Sequence, residues 1–128
     1  MHLVGKGFYT VDLTFRDREL HRLCCRQAVM RRRTGTPGAA VLAQLLNEIA
    51  SAETLGMLEP LPHVTLRAAP AARVAVEGSC SAAVLLAPRR PRRPSSEDPL
   101  QRDAFSAQVL AVNVGTKSFN PGGARWPS

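Results

Sequence analysis

Apolar and polar positions in this chain alternate, then recur at helical spacing, then alternate again. Within residues 8–15, Val11, Leu13 and Phe15 recur at every second position beside Thr10 and Thr14, which predicts a half-buried first strand. Asp17 then stands where an N-cap opens a helix, and Leu20, Leu23, Cys24 and Ala28 follow at helical spacing. The run Arg31-Arg32-Arg33-Thr34-Gly35 punctuates the end of that helix. Thr36 and Pro37 open a second helix, with Val41, Leu42, Leu45, Leu46 and Ile49 along one face. It is expected to reach about residue 58, before Pro60 and Pro62 stop it. Two helices joined by a short glycine-containing link predict an antiparallel helix hairpin.

The second half changes period. Residues 64–67 read as a short extended piece. Residues 73–77 and 80–87, separated by a turn at Glu77-Gly78-Ser79, read as a β-hairpin rich in Val and Ala. Pro88-Arg-Arg-Pro-Arg-Arg-Pro94 and Ser95-Ser-Glu-Asp-Pro99 follow; proline and repulsion among four arginines disfavour helix and central strand, so residues 88–99 are expected to form an exposed loop. Residues 107–114 are apolar on both faces, which predicts a central last strand. The Gly/Pro-rich residues 120–128 are expected to be a flexible tail. The whole predicts an α+β fold: an N-terminal strand, an antiparallel helix hairpin, then a three-strand antiparallel stretch forming one small sheet. Residues 1–119 make one domain.

Charge adds a partner to this picture. The 128 residues carry 17 Lys+Arg against 10 Asp+Glu, a net charge of +7, and 15 of those cations are arginine. Arginine pairs bidentately with phosphate and stacks on bases, so the chain is expected to meet a polyanion, above all RNA. A GC-rich genome also favours arginine over lysine, and the single isoleucine, Ile49, fits that bland origin. Arg31, Arg32 and Arg33 form one cluster at a helix end, where cations also complement the helix dipole. Arg89, Arg90, Arg92 and Arg93 form a second cluster in the loop, with no structural task evident. Both clusters are candidate nucleic-acid contacts. Aromatic residues are 5% of the chain, too few for an RNA-recognition sheet that stacks bases.

Cys24, Cys25 and Cys80 do not form a disulfide framework, and reduced thiols suggest the cytoplasm. His21, Cys24 and Cys25 share one helical side but lack C-x-x-C spacing, so no metal site is expected. Gly5-Lys6-Gly7 lacks the spacing of a phosphate-cradling loop. No secretory signal and no apolar run long enough for a membrane span is read at the start MHLVGKGFYT or elsewhere.

Several short stretches resemble a known family. Tyr9-Thr-Val-Asp-Leu-Thr-Phe15 looks like the opening strand of the RelE/ParE superfamily of bacterial toxin–antitoxin toxins, and Phe15-Arg-Asp-Arg-Glu-Leu20 like the start of the first helix in its HigB-like branch. Residues 45–58, LLNEIASAETLGML, are similar to that branch's second helix. Val109-Leu-Ala-Val-Asn-Val-Gly-Thr-Lys117 resembles the closing strand, where a Val-Gly pair precedes a basic residue.

The resemblance implies a type II toxin acting as a ribosome-dependent mRNA endoribonuclease that inhibits translation. A cognate acidic antitoxin would neutralise it, its partners would be the ribosome and mRNA, and it would need no metal or other cofactor. Metal-free transfer of a phosphodiester to its 2′-hydroxyl needs a base, cations on the developing charge and a proton donor. By resemblance Lys117 is the closing catalytic cation, and Arg67 and Arg73 fall near basic positions of the hairpin. His63 is the candidate base. Arg67, Arg73 and Lys117 are expected to converge on one sheet face. The alternatives are a non-catalytic basic RNA- or partner-binding module of the same fold, and a ParE-like gyrase inhibitor.

Overall fold

The computed structural model describes residues 2–4, 11–91 and 98–127. Strands β1 (His2–Val4) and β2 (Asp12–Phe15) lead into helices α1 (Arg18–Cys25) and α2 (Gln27–Ser51). After a 3-10 turn at Leu55–Leu58 come β3 (Thr65–Ala69), β4 (Arg73–Glu77), β5 (Ala82–Pro91), β6 (Ala104–Val114) and β7 (Lys117–Phe119).

Asp17 caps α1 as expected, accepting a 2.9 Å hydrogen bond from the Leu20 amide. The first helix ends much sooner than its apolar spacing suggests, because Arg26 is extended (φ −117°, ψ 111°). The expected break at Gly35 is present inside α2. Its φ of +83° with ψ of 161° is backbone that essentially only glycine occupies, so it divides α2 into residues 27–34 and 36–51. The helix stops at Ser51, short of residue 58, and the remainder tightens into the 3-10 turn. Gly38 sits so close to the sheet that a Cβ there would lie 2.9 Å from Val114 Cγ1.

The fold is α+β, but among the described residues its sheet has seven strands and is mixed. The order is β1-β2-β6-β5-β4-β3, with β7 folded back on the far end of β6. The chain from β3 to β7 is an antiparallel meander. β2 joins it in parallel, Leu13 opposite Ala107 and Phe15 opposite Val109. The expected count fell short for identifiable reasons. Residues 65–69 make a full ladder with β4, and Gly115 (φ +61°) lets the chain reverse so that Lys117 pairs with Val114. β6 is central and apolar on both sides. A bulge opposite Leu85/Leu86 shifts its register, leaving Leu110 without a partner on β5.

The main core lies between helices and sheet. Leu20, Leu23, Met30, Leu42, Leu45, Leu46 and Ile49 pack on Leu13, Phe15, Val74, Val76, Val84, Leu86, Val109 and Val112. The opposite face of the sheet holds a smaller cluster: Ala75, Leu85, Leu110, Ala111 and Ala124, with Ala69, Ala87 and Trp126 beside them. Its outer layer is the segment expected to be a flexible tail. Asn120 ties that segment into a turn by exchanging hydrogen bonds with the Ala124 backbone (2.7 and 2.8 Å), and Trp126 then lies on the sheet.

The expected loop at 88–99 begins as strand, since β5 continues through Pro91. Beyond Leu86 β5 has no partner on β4, and a strand paired along one edge tolerates proline. Arg92 and Arg93 lie outside the described residues. Asp98 closes the connection, accepting hydrogen bonds from the Leu100 and Arg102 amides.

Candidate nucleic-acid interface

Cross-strand partners share a face of a sheet, so the ladders place each basic side chain. Arg67 is opposite Ala75, Arg73 is opposite Ala69, and Arg89 is opposite Ser106. All three belong to the face that carries Ala75 and Leu85, away from the helices. Arg67 reaches diagonally to Glu77 at 3.3 Å, and Arg89 donates to Gln108 Oε1 at 3.3 Å. The Ala124–Trp126 segment lies on the apolar centre of this face.

Lys117 is on the other side of the sheet. Its partner Val114 belongs to the helix-facing core, and its Nζ donates a 3.0 Å hydrogen bond to the Arg33 carbonyl oxygen. The expected convergence of Arg67, Arg73 and Lys117 on one face therefore does not occur. β7 has the parity of Val112 and Val114, and that parity sends Lys117 to the helices. His63 also stays on the helical side, its Nε2 2.5 Å from Glu48 Oε2 on α2. The four residues expected to act together occupy three separate places.

What the fold does gather is arginine on the helices. Seven of the 17 cations and only two of the 10 acids fall in residues 16–33. Arg22 from α1, Arg26 from the extended joint after it, and Arg32 and Arg33 from the first half of α2 line one groove of about 220 Å³ together with Glu19 and Val29. All four arginines are exposed. Among the described residues, no ion pair within 4.0 Å joins any of them to a carboxylate. Four close cations outnumber the one carboxylate of the groove, Glu19, and focus a positive field on it. Arg31 points to a different side, beside Gln27, Thr36 and Ala40.

Arg33 has a further role. Its guanidinium lies over the Phe119 ring, 5.1 Å from the centroid, within the range of a cation–π contact. The Arg31–Arg33 run was legible as a basic cluster, whereas Arg22 and Arg26 were not singled out. Their signal was the i, i+4 spacing of Arg18, Arg22 and Arg26, which places Arg18 and Arg22 on one side of α1 and leads to Arg26 at its end. In the second cluster Arg89 is exposed on β5; the side chain of Arg90 and all of Arg92 and Arg93 lie outside the described residues.

His21 and Cys24 of α1 are spent on packing, whereas Cys25 is exposed. The His21 ring meets Phe15 edge-on at 5.3 Å, and Cys24 is buried. Burial, with Cys25 adjacent, pushes the Cys24 thiol well above its ordinary range, which keeps it protonated and a poor metal ligand. No group of three or more metal-ligating side chains is placed to hold an ion among the described residues. No helix among them is long and apolar enough to cross a membrane. No protein-family model, curated protein or solved structure matches the chain.

Proposed function

We propose that this protein is a non-catalytic RNA-binding module that grips phosphate backbone with the arginine arm of α1 and α2. The observation that carries this reading is the groove in which Arg22, Arg26, Arg32 and Arg33 converge without a carboxylate partner. Exposed guanidinium groups on two helices and the joint between them suit phosphate contacts, which give affinity without reading sequence.

The test is binding of a labelled RNA hairpin across a salt series. Replacing Arg22, Arg26, Arg32 and Arg33 together by Gln is expected to weaken binding at least tenfold near physiological salt. It should also flatten the dependence on log salt by roughly 0.7–0.9 for each phosphate contact removed. Arg125→Gln, outside the groove, serves as the control for loss of a single charge, to be compared with each single groove substitution. A quadruple variant that binds with the parent's affinity and slope would sink the assignment.

The endonuclease reading needs Lys117, Arg67, Arg73 and His63 around one phosphodiester, and their separation supports binding without cleavage. Primer extension on ribosome-bound mRNA after induced expression checks this. Discrete new 5′ ends would restore the toxin reading, with the arginine arm as the surface an acidic antitoxin covers.

A further inference from the structure

Next to the arginine groove is a second cleft, of about 230 Å³, between α1, α2 and β7. The two clefts share Glu19 and Arg33 as lining residues, so a chain whose phosphates follow the groove passes the mouth of this cleft. We infer that the cleft is a subsite for one unpaired guanine of the bound RNA; this rests on the RNA-binding reading above.

Size, walls and polarity each point to a single base. The volume is below that of sites for drug-sized molecules and suits one ring system. Leu20, Leu23 and Phe119 supply apolar walls, and the Arg33 guanidinium over Phe119 adds a planar cation. Aromatic rings and guanidinium planes are the surfaces against which proteins stack splayed-out RNA bases. β7 fixes this wall, because Lys117 holds the Arg33 backbone from the same short strand that carries Phe119.

Glu19 selects among the bases. Its side chain is exposed at the cleft and, among the described residues, makes no ion pair within 4.0 Å despite the arginines lining the same groove. A carboxylate only accepts hydrogen bonds. Guanine offers two adjacent donors on its Watson–Crick edge, N1–H and the N2 amino group, which match the two carboxylate oxygens. Adenine and cytosine place a lone-pair acceptor beside their single amino group, and uracil flanks its one N–H with two carbonyl oxygens. A carboxylate at this rim therefore favours guanine and repels the other three.

The experiment measures the full chain against four RNA hairpins identical except for one unpaired loop nucleotide, at fixed salt. Guanine is expected to bind about tenfold tighter than the other three, the lower end of what a bidentate base contact discriminates. Glu19→Ala should level the four affinities while leaving the salt slope intact. Glu19 is exposed, and unchanged circular dichroism of the variant confirms that it folds. A bystander carboxylate predicts something different: Glu19→Ala would tighten all four RNAs equally and preserve their ranking, and that result overturns the inference. Equal binding of the four RNAs by the parent protein also overturns it, and leaves the arginine arm standing. Absence of salt-sensitive binding to any of them overturns both.

Discussion

Lys117 donates a hydrogen bond from its ammonium group to the main-chain carbonyl of Arg33, 3.0 Å away and 84 positions earlier in the chain. Arg33 lies two residues before the break at Gly35, where the last carbonyls of a helical segment lose their amide partners. A cation there satisfies one of them and complements the helix dipole. Lys117→Met is therefore expected to cost about 0.5–1 kcal/mol. That is a drop of about 2–4 °C in melting temperature for a domain of this size. RNA affinity should change less than twofold. A variant with unchanged stability and abolished RNA cleavage would return Lys117 to a catalytic role.

The C-terminal segment makes a second prediction. Trp126 is the only tryptophan in the chain and packs on the apolar sheet face with Ala124, so intrinsic fluorescence reports its docking directly. The folded protein should show blue-shifted emission protected from acrylamide. Trp126→Ala should cost about 1–2 kcal/mol through lost apolar burial. The indole Nε1 is buried without a hydrogen-bond partner among the described residues, and an orphaned donor is itself a penalty. Trp126→Phe, which keeps a ring and removes that donor, should then stay within about 0.5 kcal/mol of the parent. Emission typical of a solvated indole in the parent would show that this segment does not rest on the sheet.

These two features mark where local sequence stopped informing the fold. The Asp17 cap, the break at Gly35 and the central place of β6 were legible, because each rests on a residue type with one strong conformational or burial preference. The side of Lys117 was not. It depends on the reversal at Gly115 and on the pairing of Lys117 with Val114, a register that alternation within a three-residue strand does not encode. The parallel pairing of β2 with β6 joins residues more than 90 positions apart and leaves no local trace. Trp126 looked like loose tail because Gly122, Gly123 and Pro121 precede it, yet the small alanines on the outer face of the sheet supply a surface that holds it. Among the arginines, the contiguous run gave Arg32 and Arg33, while the other half of the groove comes from the spaced residues Arg22 and Arg26.

The β3–β4 turn stores strain that substitution can release. Ala71 and Ala72 both have positive φ, 62° and 60°, where a Cβ crowds the following carbonyl. Asn and Gly are the residues that such turns favour. Ala71→Asn with Ala72→Gly is expected to stabilise the fold by about 0.5–1.5 kcal/mol. The Ala72 carbonyl, which accepts a 2.6 Å hydrogen bond from the Gln101 side chain, is backbone and remains available. Chemical denaturation of the double variant checks the gain through a higher midpoint at unchanged slope. A lower midpoint would show that the two alanines do not adopt this turn.

Asp98 gives the fold an acid-sensitive joint. Its carboxylate accepts from the amides of Arg102 and Leu100 and from the Arg102 guanidinium, at 3.0, 3.1 and 2.7 Å. Arg102 in turn pairs with Glu59, and its carbonyl accepts from the Gly56 amide, so the turn before β6 is stitched to the 3-10 turn after α2. The Arg102 amide foremost, then the Leu100 amide and the Arg102 charge, hold the Asp98 carboxyl below the ordinary aspartate range. A group whose folded value is depressed binds its proton more readily when unfolded. Its stabilisation is therefore fully present above the unfolded value of about 3.9 and fades as pH falls through that value toward the lower folded one. Asp98→Asn removes this component. Its deficit against the parent should be largest above about pH 5 and shrink steadily toward pH 3 in denaturant titrations. A deficit that stays constant across that range would mean that Asp98 acts only through its shape in the turn and not through its charge.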